Sequence, residues 1–140
     1  MAVVYFDSSA LVKLVVDEDG SELAAALWDG CDAAVSSRLA YPEVRAALAA
    51  AARDHRIDAR AHRAAQEDWE NFWAATQPVE LTPAVERQAG HVATTYALGG
   101  ADAVHLASAL AILPTDLIVA VWNRRLRDGA RAAGLHVAPA

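Results

Sequence analysis

The sequence predicts an α/β protein, a three-layer α/β/α sandwich around a central, mainly parallel sheet of four to five short strands. Two observations predict it. Short apolar runs at residues 2–6, 33–36 and 116–121 alternate with longer, Ala-rich segments of helical composition. Strands that alternate with helices pair in parallel, because each connection must cross back over the sheet, and the crossing helices then cover both of its faces. A chain of 140 residues with 55% hydrophobic residues suffices for one core, so residues 1–140 read as one domain.

The elements follow in order. Residues 2–6 form a first buried strand, Ser8 to Leu14 a short helix and Glu22 to Trp28 another. Ala33 to Ser36 is a second strand, followed by a helix over Ala40 to Asp54. Asp58 caps a long helix that reaches Ala75. Val79 to Leu81 reads as a brief third strand. Thr82-Pro83 pairs a capping hydroxyl with proline at the first helical position, which starts a helix running to Ala97. Gly99-Gly100 ends it. A further helix runs from Ala101 to Leu113 and stops at Pro114. Asp116 to Val121 is the clearest strand. A helix then runs to Ala133, Gly134 terminates it, and Leu135 to Val137 is the last strand.

Composition narrows the function. No apolar segment reaches the roughly 18 uninterrupted residues that a membrane helix needs. The start, Met1 to Asp7, has no basic residue before its apolar stretch and does not read as a signal peptide. Cys31 stands alone, which excludes an internal disulfide and thiolate metal sites; the expected compartment is the cytoplasm. The net charge of −6 argues against a protein that simply coats nucleic acid. It leaves room for an enzyme that reaches a phosphodiester through a metal. Arg38, Arg45, Arg53, Arg56, Arg60 and Arg63 make one Arg-rich stretch, and Arg124, Arg125, Arg127 and Arg131 another; each reads equally as a solvated helix face.

Three acids carry the chemistry. Asp7 ends the run Val3-Val4-Tyr5-Phe6, Glu43 lies just past the second strand, and Asp102 follows Gly99-Gly100. Asn123 follows the strand ending near Val121. In open parallel sheets the working groups lie beyond the carboxyl ends of the strands. Asp7 and Asn123 fall there directly, and Glu43 one helical turn later. No strand precedes Asp102, so spacing alone does not bring it to the site. Each residue also has an ordinary use, as a helix cap, a first-turn carboxylate or an arginine partner. If the three acids converge at about 4 Å, each pair repels by roughly 4 kcal/mol at an effective dielectric near 20. A domain stable by about 10 kcal/mol cannot carry that uncompensated. The cluster must bind a divalent cation, pair with arginine, or raise its pKa values.

The motifs carry a resemblance as well. Tyr5-Phe6-Asp7-Ser8-Ser9-Ala10-Leu11-Val12-Lys13-Leu14 resembles the opening motif of PIN-domain ribonucleases, especially the VapC toxins of bacterial toxin–antitoxin pairs. Glu43 with Val44 and Leu48 matches the second motif, Asp102-Ala103-Val104-His105-Leu106-Ala107 the third, and Trp122-Asn123-Arg124-Arg125-Leu126 the fourth. The resemblance spans the chain with order and spacing preserved, and its first and third motifs are the specific ones. It implies a PIN-like fold and a metal-dependent endoribonuclease. Asp7 and Asp102 would then hold Mg²⁺, or Mn²⁺, and Glu43 would complete the catalytic set. Ser9 would hold a ligand or a phosphate oxygen. The resemblance further implies a structured RNA substrate such as tRNA or ribosomal RNA, a cognate antitoxin and a homodimer. One departure stands out: the family usually has aspartate where this chain has Asn123, and an amide oxygen binds magnesium without bringing charge.

The remaining features have weaker claims. His55 and His62 are seven residues apart, about 10 Å along a helix, too far for one metal. His105 reads as a packed histidine or as a group that orients Asp102. Trp69, Phe72 and Trp73 form a stripe that suits the core or a partner surface. An aspartyl phosphatase wants a second Asp where Ser9 stands, and a phospho-receiver wants a late lysine, whereas Lys13 lies in the first helix. The rival from another class is a PIN domain that has lost turnover through Asn123 and acts as an antitoxin-binding regulatory partner.

Overall fold

A computed structural model describes residues 2–112 and 116–140. Its strands are β1 (Val3–Phe6), β2 (Ala33–Ser37), β3 (Gln77–Val79), β4 (Ile118–Ala120) and β5 (His136–Ala138). Its helices are α1 (Ser8–Val15), α2 (Ser21–Gly30), α3 (Ala40–Arg53), α4 (Ala59–Ala74), α5 (Pro83–Tyr96), α6 (Gly100–Leu110) and α7 (Arg124–Ala132). The sheet order is β3-β2-β1-β4-β5, and every pairing is parallel. β1 is the central strand, so Asp7, the next residue, emerges at the middle of the sheet's carboxyl edge.

Side chains of successive strand residues point to opposite faces, and β1 divides the interior accordingly. Val4 and Phe6 join Leu11, Val44, Leu48 and Trp69 of α1, α3 and α4 on one face. Tyr5 joins Val92, Leu106 and Leu126 of α5, α6 and α7 on the other. These two cores make the three layers that the alternating pattern predicts.

Several boundaries differ from the sequence reading, each for a local reason. The third strand lies two residues earlier and contains Pro78, which is tolerated because β3 is an edge strand with one unpaired side. Helix α5 is ended by Ala97, which takes the left-handed conformation at φ 54°, rather than by Gly99-Gly100. There Leu98 N–H returns to Ala93 O at 3.1 Å and the Leu98 side chain is buried, which anchors the turn. Gly99 instead provides the extended residue from which α6 starts. Helix α6 ends at Leu110, short of Leu113; Leu113 and Pro114 lie outside the described residues. The fourth strand is only three residues long. The caps at Asp58 and Thr82 are as expected, with hydrogen bonds from Ala61 N (2.7 Å) and Val85 N (3.2 Å).

Candidate active site

Asp7 leaves β1 and caps α1. Its Oδ1 accepts from Ala10 N–H at 2.9 Å and from the Ser9 hydroxyl at 2.6 Å. The carboxylate is buried, and burial pushes its pKa up to about 6. His105 and the two hydrogen bonds pull against that rise, and the charge of Asp102 adds to it. Ser9 Oγ also accepts from Trp122 N–H at 3.2 Å, tying the start of α1 to the chain leaving β4. The Ser9 hydroxyl is thus committed to Asp7.

Asp102 arrives from α6, which packs against α5 and β2 and so brings its first turn to the same edge. The carboxylate is half-buried, and its pKa is raised chiefly by that burial. His105 lowers it, Glu43 raises it and Arg125 lowers it. Asn123 stands beside it, with Nδ2 donating to Asp102 Oδ2 at 3.5 Å. The other end of the amide is occupied: Oδ1 accepts from Leu126 N–H at 3.2 Å and caps α7. The amide oxygen thus caps α7, and the group facing Asp102 is a donor.

Glu43 lies in the first turn of α3. Its Oε1 meets His105 Nε2 at 2.6 Å, and His105 Nδ1 meets the Tyr5 hydroxyl at 2.7 Å. His105 is buried, as the packed reading expected; it bonds to Glu43 and acts on Asp102 through charge. The Tyr5 oxygen accepts from Ser37 N–H at 3.1 Å. Tyr5 and Ser37 are site residues the sequence reading missed. The one sequence signal was Tyr5's place two residues before Asp7, on the strand face opposite the wholly apolar core.

Asp102 thus acts electrostatically on Asp7, and Glu43 on Asp102, while His105 acts on both aspartates. Among the described residues, none of the three is ion-paired by a guanidinium. Nor, among the described residues, do three or more His, Cys, Asp or Glu side chains stand close enough together to hold a metal ion by themselves. Of the arginines, Arg38 pairs with Glu80, Arg45 with Glu70 and Arg56 with Asp54, all on the surface. Among the described residues, Arg125 acts on Asp102 through its charge. In the aromatic stripe, Trp69 is fully buried, stacked on Tyr41 at 6.1 Å. Trp73 instead lines an apolar groove with Tyr41, Pro42, Leu81 and Val104, next to Glu43 in the chain.

The PIN domain model matches residues 4–113, a span that holds Asp7, Glu43 and Asp102. The chain belongs to the PIN-domain family. It is 67% identical over 140 residues to Ribonuclease VapC45 of Mycobacterium tuberculosis, covering 100% of this chain and 97% of that protein, so it is a VapC-type member. Solved structures share the fold. Mycobacterium tuberculosis VapC20, described as a sarcin–ricin loop cleaving toxin, aligns with TM-score 0.66 at 16% identity over 94% of this chain and 95% of its own. Rickettsia felis VapBC2, solved on a promoter DNA fragment, aligns with TM-score 0.65 at 11% identity over 96% of each chain. Among the described residues no helix is long and apolar enough to cross a membrane.

Proposed function

We propose that this PIN domain is a metal-dependent endoribonuclease, the toxin of a toxin–antitoxin pair, acting in the cytoplasm on structured RNA such as tRNA or ribosomal RNA. The observation that carries the reading is the electrostatic linkage of Asp7 to Asp102 and of Asp102 to Glu43, none of them ion-paired to an arginine among the described residues. A hard divalent cation fits that donor set. Asp7 Oδ1 takes both of its hydrogen bonds, leaving Oδ2 as a hard oxygen donor, and Asp102 supplies a second. Two carboxylates with water completing the shell suit Mg²⁺, which sheds its hydration reluctantly, better than a closed protein cage. Mn²⁺ suits the same oxygens.

In this reading Asp7 and Asp102 hold the ion. The ion makes water a better nucleophile and stabilises charge on the phosphodiester. Glu43, held by His105, positions the attacking water and takes its proton. Ser9 keeps the Asp7 carboxylate oriented. Asn123 caps α7 and steadies Asp102, leaving the three acids in place, so nothing in the arrangement favours the turnover-impaired alternative. An antitoxin partner is inferred from the VapBC2 and VapC relatives, and a homodimer from the family.

The test is titration of purified protein with Mg²⁺ and Mn²⁺ while following cleavage of total tRNA and ribosomal RNA, with Asp102→Asn as control. Metal-dependent cleavage that the variant loses supports the reading. Cleavage that persists in chelator, or that Asp102→Asn leaves intact, overturns it.

A further inference from the structure

The hydrogen bonds behind Glu43 form one chain. A backbone amide only donates, so Ser37 N–H gives its proton to the Tyr5 oxygen at 3.1 Å. Tyr5 is fully buried, and its hydroxyl oxygen lies 2.7 Å from His105 Nδ1. A carboxylate only accepts, so Glu43 Oε1, 2.6 Å away, takes a proton from His105 Nε2. Five heavy atoms from β1, β2, α3 and α6 are fixed in one sequence: Ser37 N, Tyr5 Oη, His105 Nδ1, His105 Nε2, Glu43 Oε1.

We propose that Tyr5 and His105 are positioning residues, a buried hydrogen-bonded relay that holds the Nε2 proton of His105 on Glu43 and thereby fixes the direction in which Glu43 faces the two aspartates. The role in cleavage rests on the nuclease reading above, whereas the place of the Nε2 proton does not. Neither side chain touches RNA or metal in this scheme. The edge-to-face packing of the Tyr5 and His105 rings, with centroids 5.9 Å apart, holds the relay's geometry. Partners of this kind commonly change activity by about 10- to 100-fold when removed.

The experiment has two readouts. Long-range ¹H–¹⁵N correlation on the metal-free, full-length protein reads the His105 tautomer without RNA. The Nε2–H form is expected in the wild type and a mixture in Tyr5→Phe. A wild-type ring with no proton on Nε2 would overturn the relay. Kinetics at saturating metal supply the second readout. Tyr5→Phe should lower kcat by about tenfold with KM for RNA unchanged. His105→Gln, whose amide N–H reaches the place of Nε2–H, should retain more activity than His105→Ala or His105→Asn. Equal losses in Gln and Asn variants, or unchanged kcat in Tyr5→Phe, would contradict the positioning role. If Ala proves unfolded, Tyr5→Phe and the Gln/Asn pair still decide. A wild type that cleaves nothing yet shows the Nε2–H tautomer would overturn the nuclease reading and the relay's part in it, leaving the relay's geometry intact.

Discussion

Tyr5 and Phe6 are neighbours in the same strand, both fully buried, and they do different work. Phe6 faces α1, α3 and α4, with Trp28 5.6 Å from its ring and Phe72 4.9 Å beyond that. Its surroundings are apolar and its contribution is packing. Tyr5 faces α5 to α7 with the same burial, but its hydroxyl bonds to Ser37 and His105, and His105 in turn bonds to Glu43. Burial alone does not separate a core residue from a site residue. A single oxygen on the ring does, because a buried hydroxyl must find partners, and those partners here lead to Glu43, a proposed catalytic acid.

Substitutions sharpen the comparison. The largest effect is expected at Asp7: Asp7→Asn should reduce RNA cleavage by at least about 1,000-fold, since the ion's several kcal/mol are lost at 1.36 kcal/mol per tenfold. Single-turnover assays at saturating Mg²⁺ measure it, and residual activity within tenfold of wild type would refute the ligand role. Next comes Phe6→Ala, expected to cost about 3–5 kcal/mol in denaturant unfolding. Phe6→Leu, much milder, should leave kcat alone. Tyr5→Phe reverses that pattern, costing about 1–2 kcal/mol of stability for the orphaned Ser37 N–H while impairing turnover. If Phe6→Leu and Tyr5→Phe lower kcat alike, the two faces of β1 are not functionally distinct. Thr82→Ala, far from the edge, removes a cap worth about 1 kcal/mol and should leave cleavage unchanged. Smallest is Asn123→Asp. Aspartate caps as well as asparagine, so stability should hold, while the added charge beside Asp102 should lower the metal concentration for half-maximal activity by about fivefold, near 1 kcal/mol.

Much of this was legible in the chain. Period and punctuation placed the long helices, because their caps are local: Asp58 and Thr82 bond within three residues of themselves. Asp7 and Asn123 were legible because a strand end fixes where the next residue emerges. Asp102 was not placed by spacing, since α6 reaches the edge by packing on α5 and β2. The partner of His105 was not legible for the same reason. Asp102 is three residues away in sequence, whereas Glu43 is 62 away and comes close only through the tertiary fold. The role of Asn123 turned on which end of its amide faced the cleft, and that is decided by the open first turn of α7.

The central claim is that folding places an unneutralised carboxylate at Asp7, and that a dication relieves it. Burial holds this group near pKa 6 against an ordinary 3.8. A raised carboxylate pKa means that the folded state binds the proton more tightly. Its contribution to stability is therefore full below about pH 4 and is lost as pH rises through about 6, a swing of about 3 kcal/mol. Asn at position 7 keeps the cap and has no such swing. The direct measurement is the unfolding free energy of metal-free Asp7→Asn minus that of wild type, followed from about pH 4 to about pH 8. The variant should gain on the wild type by about 3 kcal/mol over that range, and added Mg²⁺ should narrow the difference at the alkaline end by stabilising the wild type alone. A difference that stays flat with pH, or that Mg²⁺ leaves unchanged, would contradict the account.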